Sequence, residues 1–164
     1  MITFGISGRA DQGVDQATKL LGRCLFLSKF SVQEFVKKDG IHELGVVKSD
    51  KSPIISKQVP NYDILLMIDV SDSAVLKSLN DSGSVIFNSA KKIDNASLKK
   101  RKIKSYHIDT SNIKKNVSIV MIGALAKIGK LSLVKVKKAA EEEFDTNRDM
   151  FAALEEGYKN VKHG

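Results

Sequence analysis

The feature that most constrains this chain is an uninterrupted apolar run at residues 64–68 (ILLMI), with Asp63 before it and Asp69 after it. A run without alternating polar residues is typical of a central parallel strand that is buried on both faces. Such a strand needs other layers above and below the sheet to cover it. The run therefore predicts an α/β protein with a mainly parallel sheet.

The chain opens with a strand at residues 2–6, a turn from Gly8 to Gly13 (GRADQG), and an amphipathic helix. The turn is expected at the carboxyl edge of the first strand, where open α/β sheets usually bind ligands. It departs from the dinucleotide motif G-x-G-x-x-G because Ala10 replaces the second glycine. Asp11 can cap the helix and repel an anion, whereas Arg9 can engage a phosphate or carboxylate. The turn alone does not predict a nucleotide cofactor.

The remaining pattern predicts further strands at residues 30–35, 43–48, 84–88 and 103–108, with a loop at residues 37–42. A helix capped by Ser71 or Asp72 is expected after the central strand, with Val75, Leu76 and Leu79 on its inner face, and a turn at residues 80–83 should end it.

Three helices are expected in the last third of the chain. Residues 117–126 are apolar nearly all round, so this helix should be deeply buried, with Gly123 and Ala124 offering a surface for close packing. Ser132 should cap a helix over residues 133–144, and Thr146 or Asn147 a last helix that reaches about residue 159. We therefore expect residues 1–164 to form a single-domain three-layer sandwich with helices on both faces of the sheet.

The net charge of +8 comes mostly from lysine, with the densest run at residues 99–104 (KKRKIK). Such a run can bind nucleic acid, meet an acidic partner, or simply be a solvated face. It contains no aromatic residue for base stacking. A stand-alone basic module that binds nucleotides or nucleic acid stays open as an alternative function. The sequence shows neither a signal peptide nor a membrane span, so we expect a cytoplasmic protein.

The single cysteine, Cys24, excludes an internal disulfide and a cysteine-ligated iron–sulfur cluster held by this chain alone. It lies in an apolar run, so a buried core thiol is expected. The three histidines, His42, His107 and His163, lack metal-ligand spacing, and only His42 lies in a polar loop where it is a candidate for proton transfer. We predict no catalytic residues and no metal ligands in this chain.

The order of several segments resembles the gamma subunit, or gamma domain, of the pyruvate and 2-oxoacid:ferredoxin (flavodoxin) oxidoreductases. That family opens with a strand and a G-R-G-G-Q-G turn, and later carries P-D-I-V-L-x-L-D, L-K-x-G-G-x-x-I-x-N-S, N-x-x-M-x-G-A-L and F-x-x-x-N-x-x-A-F-x-x-G-Y. The matching segments here are the Gly8–Gly13 turn, residues 60–69, Leu79 to Gly83 with Asn88 and Ser89, Asn116 with residues 121–125, and Phe144, Asn147, Phe151, Gly157 and Tyr158.

The resemblance implies that this chain is a subunit without a redox centre of its own, inactive alone and active only in assembly. The complete enzyme decarboxylates a 2-oxoacid to an acyl-CoA and passes electrons to ferredoxin. Thiamine diphosphate, Mg²⁺ and iron–sulfur clusters then belong to the thiamine-binding catalytic subunits and a ferredoxin-like subunit, and CoA is a co-substrate.

By the same resemblance, the surface that faces the active site or CoA includes Gly8, Arg9, Gln12, Gly13 and Asn116. Two departures from the family stand near that surface. Ala10 and Asp11 replace two glycines of the turn, and residues 35–44 show little trace of the family's Y-G-x-E-x-R-G-G segment.

Overall fold

A single sheet forms the centre of the structure, a computed structural model that describes residues 1–56, 58–59, 61–145 and 148–164. Within these residues, seven strands lie in the order β2-β3-β1-β4-β5-β6-β7. Strands β1, β4, β5 and β6 are parallel, whereas β2, β3 and β7 run antiparallel to their neighbours at the two edges. The strands are β1 (Ile2–Arg9), β2 (Ser31–Asp39), β3 (His42–Asp50), β4 (Tyr62–Met67), β5 (Leu79–Asn88), β6 (Lys104–Ile108) and β7 (Lys162–His163).

The helices divide unequally between the two faces of the sheet. The long helices pack with one face through a cluster that includes Phe4, Ile6 and Leu66, and a shorter layer covers the other face through Leu65, Met67 and their neighbours. The helices are α1 (Val14–Leu27), α2 (Ala96–Lys100), α3 (Val117–Ile128), α4 (Leu133–Glu143) and α5 (Arg148–Asn160), with 3-10 helices at Ala10–Gln12 and Ser73–Ser78.

The central strand β4 has the environment that its apolar sequence predicts. Leu65 and Met67 enter one hydrophobic cluster and Leu66 enters the other, and all three side chains have no exposed surface. Strand β1 lies on one side of β4 and β5 on the other, both parallel to it. The α/β fold class with a mainly parallel sheet is thus confirmed. The antiparallel orientation of the edge strands was not predicted.

The predicted loop at residues 37–42 is wrong. Strands β2 and β3 form a continuous hairpin in which Asp39 pairs with His42, so only Gly40 and Ile41 lie in the turn. Gly40 has φ +59°, a left-handed conformation that glycine adopts at little cost. The polar residues that indicated a loop are instead the side chains of an edge strand, and β2 has no buried residue.

The segment after β4 also differs from the prediction. A 3-10 helix at Ser73–Ser78 replaces the expected α-helix, and Leu79 already belongs to β5. Asp72 precedes this helix, but its carboxylate accepts a hydrogen bond from the Ser7 hydroxyl (3.1 Å) and does not cap it. The expected turn at residues 80–83 lies within β5, where the pairing with β4 shifts register.

The last three helices follow the predicted pattern closely. The predicted strand at residues 103–108 is also present as β6, while the short helix α2 and strand β7 were not predicted. Ser132 precedes α4 as expected, although its hydroxyl makes no capping bond within the described chain. Pro60 and the predicted caps Thr146 and Asn147 lie outside the described residues.

Helices α3 and α5 approach each other through glycines. A Cβ atom added at Gly123 would collide with the carbonyl oxygen of Leu154, and one added at Gly157 would collide with the carbonyl oxygen of Val120. The prediction that Gly123 permits close packing is therefore confirmed. Gly123 faces the backbone of α5, and Gly157 faces the backbone of α3. The two helices can approach this closely only because neither position has a side chain.

Cys24 is a core residue, as predicted, with 1% of its surface exposed. Burial raises the pKa of its thiol to about 11. At pH 8 only about 0.1% of the thiol would then be ionised, and the reactive species is the thiolate. We expect a disulfide reagent to label the native protein at least about 100-fold more slowly than the protein in concentrated guanidinium chloride. Equal labelling rates in the two conditions would show that Cys24 is accessible.

Candidate functional site

The turn between β1 and α1 joins the carboxyl edge of the sheet to the helical layer. After Arg9 the chain makes one 3-10 turn, and Gly13 then adopts φ +76° before α1 begins. The side-chain oxygen of Gln12 accepts a hydrogen bond from the Arg9 backbone N–H at 2.8 Å. Gln12 therefore closes the turn on itself, which holds its backbone in one shape.

Gly13 is required by both its conformation and its neighbour. Its φ is in the left-handed region, and a Cβ at this position would lie 2.6 Å from the Ser118 hydroxyl oxygen. Ser118 is buried in the first turn of α3. The turn therefore rests directly against the start of α3.

Gly8 has a different role from Gly13. A Cβ at Gly8 would lie 2.9 Å from Val14 Cγ2 and 3.1 Å from Gln12 Oε1. This position lets the turn fold back over the end of β1. Gly8 belongs to β1, where it pairs with Glu43, and it does not line the cleft.

Arg9 is exposed and pairs with Asp11 of the same turn, with 3.2 Å between Nε and Oδ1. This hydrogen bond, together with the Asp11 charge, raises the pKa of the exposed Arg9 guanidinium. Asp11 thus pairs with Arg9 and does not cap α1, which corrects the interpretation drawn from the sequence. An anion that uses Arg9 has to compete with this carboxylate.

Asn116 comes directly before α3 with φ +63°, a conformation that asparagine tolerates better than most residues. It lies across from the Gly8–Gly13 turn, and the two segments enclose a cleft of about 450 Å³. We call this the carboxyl-edge cleft. Its lining comprises Asp11, Gln12, Gly13, Gln16, Asn88, Lys114, Lys115, Asn116, Val117 and Ser118. The structure thus brings together Gln12, Gly13 and Asn116, whereas Gly8 and Arg9 lie outside the lining.

Asn88 is a lining residue that was not predicted for the site. It ends β5, and its Nδ2 donates to the Ile68 carbonyl oxygen at 3.2 Å. Its Oδ1 accepts a 2.6 Å hydrogen bond from the Thr110 hydroxyl. These bonds tie together the segments that follow β4 and β6. The sequence signal that could have identified Asn88 is its position at the carboxyl end of a predicted strand beside the central strand.

Lys114 and Lys115 were also missed, although both are exposed in the lining of the cleft. They stand beside the start of α3, where unpaired backbone N–H groups add positive potential. Asp11 is the one carboxylate in this lining. It is paired with Arg9, so the cleft presents net positive charge to a ligand.

The other side of the carboxyl edge carries acidic groups. Hydrogen bonds from the Ser71 N–H and hydroxyl lower the pKa of the Asp69 carboxyl, and the charges of Arg9 and His42 contribute less. His42 Nδ1 is buried without a hydrogen-bond partner among the described residues. The three histidines are not brought together. His163 pairs with Tyr106, the residue before His107, so His163 and His107 lie on opposite faces of the sheet, and His42 lies on β3.

Within the described part of the chain, the side chains offer no ligand set for a metal ion or an iron–sulfur cluster. Within the described ranges, no three His, Cys, Asp or Glu side chains are grouped to hold a metal. Cys24, the single cysteine, is enclosed in the core. In the same ranges, none of the helices has the length and apolar character needed to cross a membrane.

Solved structures share this fold over nearly the whole chain. Pyruvate oxidoreductase subunit PORC from Thermotoga maritima has 23% identity and a TM-score of 0.78, with 99% of this chain and 97% of that chain covered. The gamma subunit of a keto/oxoacid ferredoxin oxidoreductase from Geobacter sulfurreducens has 13% identity and a TM-score of 0.75, with 97% of each chain covered.

A larger protein contains the same fold as one part. The 2-oxoglutarate:ferredoxin oxidoreductase from Magnetococcus marinus has 10% identity and a TM-score of 0.78, with 96% of this chain and 29% of that chain covered. A comparison with curated proteins finds no significant match. The sequence model of one family, pyruvate ferredoxin/flavodoxin oxidoreductase, matches residues 3–160. This chain therefore belongs to the pyruvate ferredoxin/flavodoxin oxidoreductase family.

Proposed function

We propose that this chain is the gamma subunit of a 2-oxoacid:ferredoxin oxidoreductase and that its carboxyl-edge cleft faces the catalytic subunits. The family match over residues 3–160 carries the proposal. The geometry supports it, because the Gly8–Gly13 turn and Asn116, which lie far apart in sequence, border the same cleft. We treat the chain as one gamma-type domain.

The reaction of such a complex consumes a 2-oxoacid and CoA and releases CO₂ and an acyl-CoA. The bond between the carboxylate and the oxo carbon breaks, and the oxo carbon becomes bonded to the CoA sulfur. The electron pair left by decarboxylation passes to ferredoxin, and the thiol proton is released. Thiamine diphosphate, when bound to the partner subunits with Mg²⁺, supplies the stabilisation of that electron pair.

This chain contributes positioning and electrostatics to the reaction. The Gln12 bond to the Arg9 backbone and the contact of Gly13 with α3 give the cleft a rigid floor. In this proposal Lys114 and Lys115, which line the cleft, pair with phosphate groups of CoA as the thiol end reaches the catalytic subunits. A protein related in fold, from Magnetococcus marinus, has CoA and succinyl-CoA bound.

The iron–sulfur clusters belong to the partner subunits in this proposal, since the one cysteine here is buried. CoA thioesters and ferredoxin are cytoplasmic reactants, so we place the complex in the cytoplasm. Ferredoxin is the electron acceptor and meets the cluster-bearing subunit.

The proposal is tested by purification of the tagged chain from its native host. We expect a thiamine-binding subunit and a ferredoxin-like subunit to co-purify, with 2-oxoacid- and CoA-dependent reduction of ferredoxin in the eluate. The tagged chain produced alone should lack this activity and serves as the control. Recovery of the chain without any thiamine-binding subunit would refute the proposal.

A further inference from the structure

A second cleft, of about 310 Å³, lies between α2 and the start of β6. We call it the basic cleft and define it by Lys92, Lys102 and Lys104 around a floor of Ile93, Leu98 and Ile103. Lys104 begins β6 and pairs with Ser84, whereas Asn88 of the carboxyl-edge cleft pairs with Ile108. Four residues of strand, about 13 Å, separate these two levels of the sheet. The basic cleft is therefore distinct from the site proposed above.

The charge of the basic cleft is poorly balanced within the chain. Asp94 is the one acidic side chain in its lining, and it is paired with Lys99 at 2.7 Å. No ion pair among the described residues involves Lys92, Lys102 or Lys104. These ammonium groups are exposed and repel one another, so an anion placed between them would be attracted by all three.

One lysine of the basic cleft, Lys92, acts electrostatically on His107, which lies on β6 outside the lining. Burial lowers the pKa of His107 below its ordinary value of 6.5, and the charges of Lys162 and Lys92 lower it further. Its Nδ1 is buried without a hydrogen-bond partner among the described residues. His107 is thus a natural reporter, because an anion bound nearby would raise its pKa again.

The basic cleft is held open by a rigid frame. Asn95 caps α2 with a 2.9 Å hydrogen bond from the Ser97 N–H. Arg101, at the other end of α2, pairs with Asp81 at 2.7 Å and donates to the Leu76 carbonyl oxygen at 3.0 Å. The lysines around the cleft therefore project from a fixed backbone, which lowers the entropy cost of binding.

Lys102 occupies a costly backbone conformation at the rim of this cleft. Its φ is +55°, in the left-handed region where glycine or asparagine is less strained. Its N–H is held by the Lys99 carbonyl oxygen at 3.0 Å. The same conformation occurs at Lys29 and Lys130, after α1 and α3, so it marks the end of a helix and fixes the backbone position of Lys102 at the rim.

The floor of the cleft indicates what kind of anion fits. Leu98 and Ile103 are at most 8% exposed and, with Ile93, form an apolar base between the lysines. The lining holds no arginine for bidentate phosphate recognition, and its one ring, His163, already packs edge-on against Tyr106, which disfavours base stacking. We propose that the basic cleft docks an acidic segment of a partner protein in which aspartate or glutamate residues flank an apolar side chain.

The proposal is tested with the full chain and a peptide of about 15 residues in which glutamates alternate with leucine. We expect the peptide to bind with an affinity that falls as the salt concentration increases. Binding should also raise the pKa of His107, which is measured by NMR titration. The paired substitution Lys92→Glu and Lys104→Glu should weaken binding at least about tenfold. A matched pair, Lys51→Glu and Lys138→Glu, makes the same change in net charge at exposed positions elsewhere and should leave the affinity within about twofold.

A third variant, Lys102→Asn, removes one charge while keeping a residue that tolerates the left-handed conformation. We expect its affinity for the peptide to be about threefold lower. Circular dichroism confirms that each variant is folded. Equal losses in the two charge-reversed pairs would overturn the proposal, as would an unmoved pKa of His107. Tighter binding of a single-stranded oligonucleotide than of the peptide would also overturn it, in favour of nucleic acid.

Discussion

Replacing Gly157 by alanine is expected to destabilise the protein by about 3 kcal/mol or more, which corresponds to a fall in Tm of roughly 6–12 °C. The new Cβ would collide with the Val120 carbonyl oxygen and would lie 2.8 Å from the Ala124 backbone nitrogen. Both obstacles belong to the backbone of α3, so no side chain can move aside. One helix has to shift, and α3 is held in the core by apolar contacts on every side.

The intrinsic preference of helices for alanine opposes this effect by only about 1 kcal/mol, so a net loss is expected. Gly22→Ala in α1 is the matched control. A Cβ at Gly22 would meet the carboxylate of Glu34, which is the end of an exposed, flexible side chain and can turn toward solvent. We expect Gly22→Ala to change the free energy of unfolding by less than about 1 kcal/mol. Thermal and urea unfolding measure both variants, and equal stabilities would show that the α3–α5 contact relaxes easily.

The parts of the fold that could be predicted are those in which burial leaves a periodic signal. Residues 64–68 lie between two packed layers, and α3 is enclosed by the sheet and α5, so their apolar residues reveal both elements. The hairpin of β2 and β3 was misjudged because Lys37 and Lys38 lie on an edge strand that faces solvent. Its strand conformation is set by pairing with β3, which is a non-local interaction.

The candidate site was predictable to the extent that it is local in sequence. The Gly8–Gly13 turn stands between a strand and a helix, and that order places it at the carboxyl edge. The partners of the turn depend on where the chain returns after β6. No pattern in the sequence states that Lys114 and Lys115 come to face Gln12, because their position follows from the packing of α3 against α1. The role of Asp11 was not predictable for a similar reason. The sequence allowed Asp11 to cap α1, but in the structure its carboxylate pairs with Arg9.

Reversing the charges of Lys114 and Lys115 is expected to raise the KM for CoA in the assembled complex by about 10- to 100-fold. The expectation rests on the proposed function, in which these ammonium groups pair with phosphates of CoA. Glutamates at both positions would remove that attraction and add repulsion beside Asp11. The effect on kcat should be smaller, because the phosphates keep the same contacts in the ground state and the transition state.

A second paired variant, Lys127→Glu and Lys138→Glu, separates this local effect from a change in overall charge. Both of these lysines are exposed, and neither lines the carboxyl-edge cleft. Each paired variant lowers the net charge of the chain from +8 to +4, so non-specific attraction of CoA falls equally in both. Steady-state kinetics with CoA as the varied substrate, on complexes checked for intact composition, then distinguishes them. A similar rise in KM for both pairs, or none for the Lys114 and Lys115 pair, would place the CoA phosphates outside this cleft.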